Sequence, residues 1–427
     1  MALKCLAKFI FRMIVMLTMF IAFIMLTPES IMFDINTEAV NIPLPATLDD
    51  YKSTLKMKYS SIVAEIPGPE SIGYQNGKMV TGAMDGYLYE FDLNNPANVK
   101  RLFRLVTDKQ LAASNYTRIS RPLGMKFDSK GDLWIVEPYF GIYRVKNVFT
   151  SSPIIDLVFD IDQTGQIGAT SIFFDDIALY EKSTGGHILY ITDVSSKYTL
   201  ENFVLILAEP DRTGRILRYD TDTGKLDVLE DGLIFPNGIE SLPGNKNGFI
   251  FSDIGNRSIR KCTFDNNNGK PKMINIISHM ASETDNIRLS ANGQTFWLAM
   301  LRPRCETNPD FSSDIMMRYP SIRRFIIRSL HLFGKILEFI YQFIPFERLE
   351  YAAELLKTFK IHTIVEKPGC LMLEIDQNGK FLNSFIDDKC TKMTEVREIS
   401  SPNYPNERIL YLGSFINNAM RKIILTK

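Results

Sequence analysis

The sequence predicts an all-β chain folded as a six-bladed β-propeller, and three observations carry that prediction. Beyond residue 60 the chain breaks into short runs rich in Val, Ile, Tyr and Phe, closed by Asp-Gly, Asn-Gly and Lys-Gly turns. Such runs with regular turn signals read as antiparallel hairpins. Six of them open alike: PGPESIGY (67–74), RPLGMKFD (121–128), SIFFDDIAL (171–179), FPNGIESL (235–242), TDNIRLS (284–290) and MTEVREI (393–399). The first five openings recur roughly every 50–65 residues, a repeat length suited to four-stranded blades. Two packed sandwiches would match the strand content but give no reason for six similar openings.

Taken in chain order, the amino end comes first. Lys4, Lys8 and Arg12 precede the apolar run Met13–Leu26. That run is about 14 residues against the ~20 of a spanning helix; Phe9-Ile10-Phe11, with Arg12 snorkelling, stretches it to roughly 18. We expect an uncleaved signal anchor within 1–29, because the exit TPES offers no small-x-small cleavage pair; a cleaved signal peptide is the alternative. The basic flank predicts a type II topology, with a cytosolic amino end and a lumenal or extracellular body in the endoplasmic reticulum or plasma membrane. Residues 30–60 read as a linker and 61–427 as the propeller. The sequons at Asn115 and Asn256 agree with that compartment.

Strands then follow in KMVTGAMDGYLYEFD (78–92), DLWIVEPYFGIYRV (132–145), HILYITD (187–193), GRILRYDTDTGKLDVL (214–229), GFIFSDI (248–254) and LMLEIDQNGKFLNSF (371–385). Between the fifth and sixth openings, residues 303–365 form a helical insertion in the fifth blade. In it, 320–345 spaces Ile322, Phe325, Ile326, Leu330, Phe333, Leu337, Ile340 and Phe343 as one helical face, with Arg323, Arg324, Arg328, His331 and Lys335 beside them. A basic amphipathic helix suits a membrane interface; a helix capping the propeller is the other reading. Cys262, Cys305, Cys370 and Cys390 allow three pairings or four buried thiols. Lys plus Arg equal Asp plus Glu at 49 each, and no motif points to nucleic acid.

The chemistry is read from the openings. The first strand of each propeller blade lines the central channel, so equivalent positions of successive blades meet there. At those positions stand Glu70, Asp175, Asn237, Asp285 and Asn286, all oxygen donors. A mixed carboxylate and amide set suits calcium, which takes about 6–8 oxygens, whereas zinc would prefer His or Cys. Three carboxylates in one channel repel one another unless a cation or a proton compensates.

The run 188–240, together with 121–145, 284–301 and 409–423, resembles the strictosidine synthase-like propellers, and more closely their adipocyte plasma membrane-associated branch. The resemblance extends to the amino-terminal anchor and the helical insertion. It implies a six-bladed propeller on a type II anchor, related to the calcium-dependent paraoxonase and lactonase propellers. It also implies calcium on Glu70, Asp175, Asn237, Asp285 and Asn286, arylesterase-like activity and, by analogy with the plant enzymes, a catalytic Glu395. Three departures stand out. Asp175 replaces an asparagine and adds charge. Ser71 follows Glu70 where paraoxonases carry a second acid, although Asp176 remains. None of His187, His279, His331 and His362 lies in the second-blade region that supplies the paraoxonase histidines.

These readings combine into an expectation. The chain is a membrane-anchored, calcium-dependent hydrolase of aryl esters or lactones, with Asp285 as general base and lipid contacted by the anchor and, on one of the two readings of 320–345, by that helix. The alternatives are a non-catalytic propeller with structural calcium and an amine–aldehyde condensation through Glu395.

Overall fold

The computed structural model describes residues 2–28, 32, 35–93, 95–113, 120–265, 269–365, 367–400 and 407–426. It is mostly β, and the chain divides into two compact units. The β unit comprises Ile42–Leu200, Asp211–Pro309 and Lys367–Lys427. Its described residues form six four-stranded antiparallel sheets. Five of them take their strands in chain order, beginning at Ile72–Gln75, Met125–Phe127, Phe173–Glu181, Pro236–Leu242 and Thr284–Leu289. The sixth begins at Glu395–Glu398 and takes its outer strand from Lys56–Ala64, paired with Met420–Thr426. All six first strands begin within the openings read from the sequence.

Each sheet packs on its neighbour. Val80 and Leu88 of the first meet Met125, Leu133 and Ile135 of the second. Ala178 and Tyr190 of the third meet Ile239, Phe249 and Phe251 of the fourth. Ile72 and Met79 of the first also meet Ile409, Tyr411 and Met420 of the sixth. With both faces covered, middle strands such as Leu133–Glu137, Phe296–Met300 and Cys370–Ile375 are buried at every residue. That is why they read as near-continuous apolar runs instead of strict alternation.

The pairing of Lys56–Ala64 alters one expected boundary. The segment read as a linker over 30–60 enters the β unit from Ile42 onward. Tyr51 and Leu55 are buried in its core clusters, and Arg257 donates to the carbonyls of Ile42 and Pro43. Of the four cysteines in the body, Cys370 and Cys390 form a disulfide, with Cα atoms 5.5 Å apart, while Cys262 and Cys305 are buried thiols.

The helical unit comprises Met1–Asn41, Glu201–Pro210 and Asp310–Glu366. Its amino-terminal helix runs over Ala2–Leu26, of which Lys8–Leu26 has the length and mean hydropathy, 2.5, to cross a membrane. The amphipathic helix Pro320–Tyr341 and the helix Glu347–Lys357 pack together at Gly334, where an added Cβ would lie 2.8 Å from the Ala353 carbonyl oxygen. These helices lie in the chain between Phe296–Met300 and Cys370–Ile375, which pair directly. Arg323, one of the basic residues beside the apolar face, is fully buried and donates to the carbonyls of Asn36, Glu38 and Met317. A further helix, Phe203–Ala208, lies in a stretch whose Phe, Val, Leu and Ile read equally as strand.

Candidate metal centre

Three of the first strands carry the same irregularity. Phe174 pairs with Asp193 and Ile177 with Ile191; Pro236 pairs with Asp253 and Ile239 with Phe251; Thr284 pairs with Met300 and Ile287 with Leu298. In each case three steps on the first strand span two on its partner, which is a β-bulge. The bulged pairs are Asp175-Asp176, Asn237-Gly238 and Asp285-Asn286. A bulge inserts one residue and re-aims side chains. It thereby frees both members of each pair from the in–out alternation of a regular strand. Phe235, before the second bulge, takes a φ of 59°, so the Phe-Pro-Asn-Gly turn and the bulge form one local device.

The bulges bring four of the five expected oxygen donors together with Glu70. Asn286 Nδ2 donates to Glu70 Oε1 at 2.7 Å, and the Asn286 backbone N–H donates to the Thr394 carbonyl. The Thr394 hydroxyl donates to the Glu70 carbonyl. Gly238 lies against Asp285, Asn286 and Ile287. Glu70, Asp175, Asn237 and Asn286 are buried, while Asp285 is half-buried. Glu70 Oε2, Asn237 Oδ1 and Asn286 Oδ1 are buried and accept no hydrogen bond.

Electrostatics tells the same story. Burial, reinforced by Glu395, pushes the Glu70 carboxyl up to about 7. Burial, then the charges of Glu70 and Asp285, holds Asp175 well above the usual carboxylate range. Burial and Glu70 do the same to Asp285. Three carboxyls that raise one another repel unless a cation or a proton compensates.

The surrounding charges are organised by Arg288, which the sequence reading passed over. Fully buried, it donates through Nε to Glu395 at 2.9 Å, through one terminal nitrogen to Asp176 at 2.6 Å, and through the other to the Ser71 hydroxyl at 2.9 Å. Asp176 Oδ2 also accepts the backbone N–H of Ile239, so first strands of four sheets converge on this ion-pair network. Beside it, Lys126 and Glu240 form a buried pair at 2.5 Å. Arg121 sits within the field of Glu70, Asp175 and Asp285, and burial pushes its guanidinium down to about 10. The mutually interacting groups named here and Arg397 amount to six carboxylates and four cations. Fully ionised, they leave two negative charges, the deficit one divalent ion would neutralise. The signal for Arg288 was a lone arginine in TDNIR beside so many acids.

Other expected residues lie as follows. Glu395 joins the cluster but is fully buried and bound to Arg288, so it holds that guanidinium and is not an exposed base. Among the described residues, no group of three or more His, Cys, Asp and Glu side chains is arranged to hold a metal by itself; the candidate set needs its two asparagine amides. His187 lies 3.4 Å from Asp128, which also accepts the Trp134 indole N–H. Asn256 is half-buried, and its Nδ2, the atom a glycan would join, donates to Asp253. Asn115 lies outside the described residues.

Gly238 offers a direct test of this geometry. An added Cβ would lie 2.5 Å from Ile287 N and 2.6 Å from both Asn286 Cα and Asp285 O, all of them backbone-bound atoms of the adjoining first strand. Gly238→Ala is expected to cost about 1–3 kcal/mol in denaturant unfolding, the usual penalty of forced overpacking. It should also weaken divalent binding by parting Asn237 from Asp285 and Asn286.

Comparison with known proteins places these residues in context. A strictosidine synthase family model matches residues 181–266, which include Asn237. The chain is 25% identical over 399 residues to an adipocyte plasma membrane-associated protein of Salmo salar, covering 92% of this chain and 85% of that one. It is 27% identical over 352 residues to the protein of the same name in Bos taurus, covering 82% and 74%. A solved structure provisionally assigned as a gluconolactonase superposes with a TM-score of 0.50 at 11% identity, over 90% of this chain and 97% of the other. That likeness is one of fold.

Proposed function

Because the chain belongs to the strictosidine synthase-like family, we propose that its six sheets are the blades of one closed propeller, with the helical insertion in the fifth, and that its centre is the calcium site of a membrane-anchored hydrolase of aryl esters or lactones. The reading is carried by the three buried oxygens of Glu70, Asn237 and Asn286 that accept no hydrogen bond. Each such acceptor costs about 1–3 kcal/mol if left unpaired, and one cation held by all three removes that cost. Glu70, Asp175, Asn237, Asp285 and Asn286 would hold the ion. An all-oxygen set with no thiolate or imidazole favours calcium over zinc.

When bound, calcium polarises the ester or lactone carbonyl and offsets charge developing on its oxygen. The residues of the chain divide the remaining work. Arg288 occupies Asp176 and Glu395, so neither is free to take a proton. Asp285, half-buried where Glu70 and Asp175 are buried, is the least enclosed carboxylate of the set. It takes a proton from the attacking water as the water oxygen bonds to the carbonyl carbon, and gives that proton to the alcohol oxygen as the bond from that oxygen to the carbonyl carbon breaks. The amino-terminal helix is read as an uncleaved type II anchor, with the body lumenal or extracellular.

Turnover of phenyl acetate by the full chain in detergent is expected to stop on chelation and to return with added calcium. Undiminished turnover in excess chelator contradicts the reading. One observation favours a second reading, a ligand-binding propeller with a structural ion: His187 lies 3.4 Å from Asp128, so that imidazole is taken up outside the oxygen set. That protein would show calcium-dependent stability without turnover.

A further inference from the structure

The helical unit places its amphipathic helix against the exit of the spanning helix. Phe20 lies 6.2 Å, centroid to centroid, from both Phe325 and Phe333. Arg328, fully buried, donates to the carbonyl oxygens of Ile24 and Thr27, in the last turn of the anchor and just past it. Phe20 stands six residues before Leu26, where the candidate span ends. At 1.5 Å per residue that is about 9 Å inside the end of the span. Amphipathic helices at bilayer surfaces sit about 5–10 Å deep, at the boundary of headgroups and acyl chains.

The exposed surface of this helix and the turn after it is apolar. Ile322, Phe333, Ile336 and Phe339 stand 45–60% exposed, and Phe343, Ile344 and Phe346 continue the patch at 53–71%. Lys335, with more than half of its side chain exposed, borders it. Continuity with a helix that itself crosses the bilayer decides what covers this patch. A helix touching the anchor at Phe20 shares the anchor's depth. We propose that Pro320–Tyr341 and the following turn through Phe346 are embedded in the outer part of one leaflet, the leaflet at the carboxy-terminal end of the span. The occupant of the apolar face is lipid acyl chain. The chain therefore holds its membrane by two elements, and Arg328 joins them by capping the exit turn of the anchor.

Tryptophan placement tests this, because the two native tryptophans, Trp134 and Trp297, are buried. Full-length Phe339→Trp and Phe343→Trp variants would be reconstituted in vesicles of phosphatidylcholine, with and without bromine on the acyl chains. Tyr59→Trp, at an exposed position in the β unit, serves as the water-facing control. The expected result is loss of most of the added fluorescence in brominated vesicles and little loss with aqueous acrylamide, the control behaving in reverse. Quenching by acrylamide alone overturns the proposal. Protection from both quenchers also overturns it, since a second protein surface would then cover the face. Exposed Phe→Trp changes keep an aromatic side chain, and the unchanged control reports that the protein is folded.

Discussion

Arg288→Met is expected to destabilise the β unit by about 3–5 kcal/mol, the cost of removing one partner from a buried ion network. Methionine matches much of the arginine stem but leaves Asp176 and Glu395 without the cation that pairs directly with both in a fully buried place. The Ser71 hydroxyl loses its donor as well. The effect should exceed that of Arg421→Met, whose partner Asp387 forms a part-exposed pair, because a solvated pair contributes only about 0–1 kcal/mol. Equilibrium unfolding in denaturant, read by intrinsic fluorescence, measures both variants. Equal, small effects would show that the network contributes no more than a surface pair.

Asp285→Asn is the complementary experiment, since it targets chemistry more than folding. Asparagine keeps an oxygen ligand and the shape of the side chain but cannot accept a proton from water. Loss of a general base typically lowers turnover by about 10²–10⁴-fold. The same change removes one of three mutually repelling carboxylates, so stability without metal should hold or rise. Turnover of phenyl acetate at saturating calcium reads the first effect and thermal unfolding in chelator the second. A variant with full activity would assign the proton to another group while leaving the metal site standing.

Much of this organisation was legible in the chain because it rests on local chemistry. Turn dipeptides and β-branched runs marked the strands, and the six openings marked an edge strand of each sheet. The five oxygen donors could be picked out because they stand in those openings. What was hidden depends on distant pairing. The bulges at Asp175, Asn237 and Asp285 are defined by cross-strand register, which no single strand displays. Lys56–Ala64 is largely exposed, and its partner lies at the opposite end of the chain, so its polar KMKYSS start read as linker. In the sequence Arg323 and Arg328 stand only as basic residues beside an apolar helical face, yet both donate to backbone carbonyls of the amino-terminal segment. Phe203–Ala208 is too short for helical periodicity to declare itself.

The central claim is that the inner strands hold a divalent ion and that hydrolysis depends on it. Calorimetric titration of the metal-stripped full chain with calcium, beside Asn237→Ala and with phenyl acetate turnover recorded on the same samples, tests it most directly. The account predicts one calcium per chain in the wild type, with binding and turnover lost together in Asn237→Ala. A wild-type chain that takes up no calcium would contradict it and leave Phe235-Pro236-Asn237-Gly238 as a turn and nothing more.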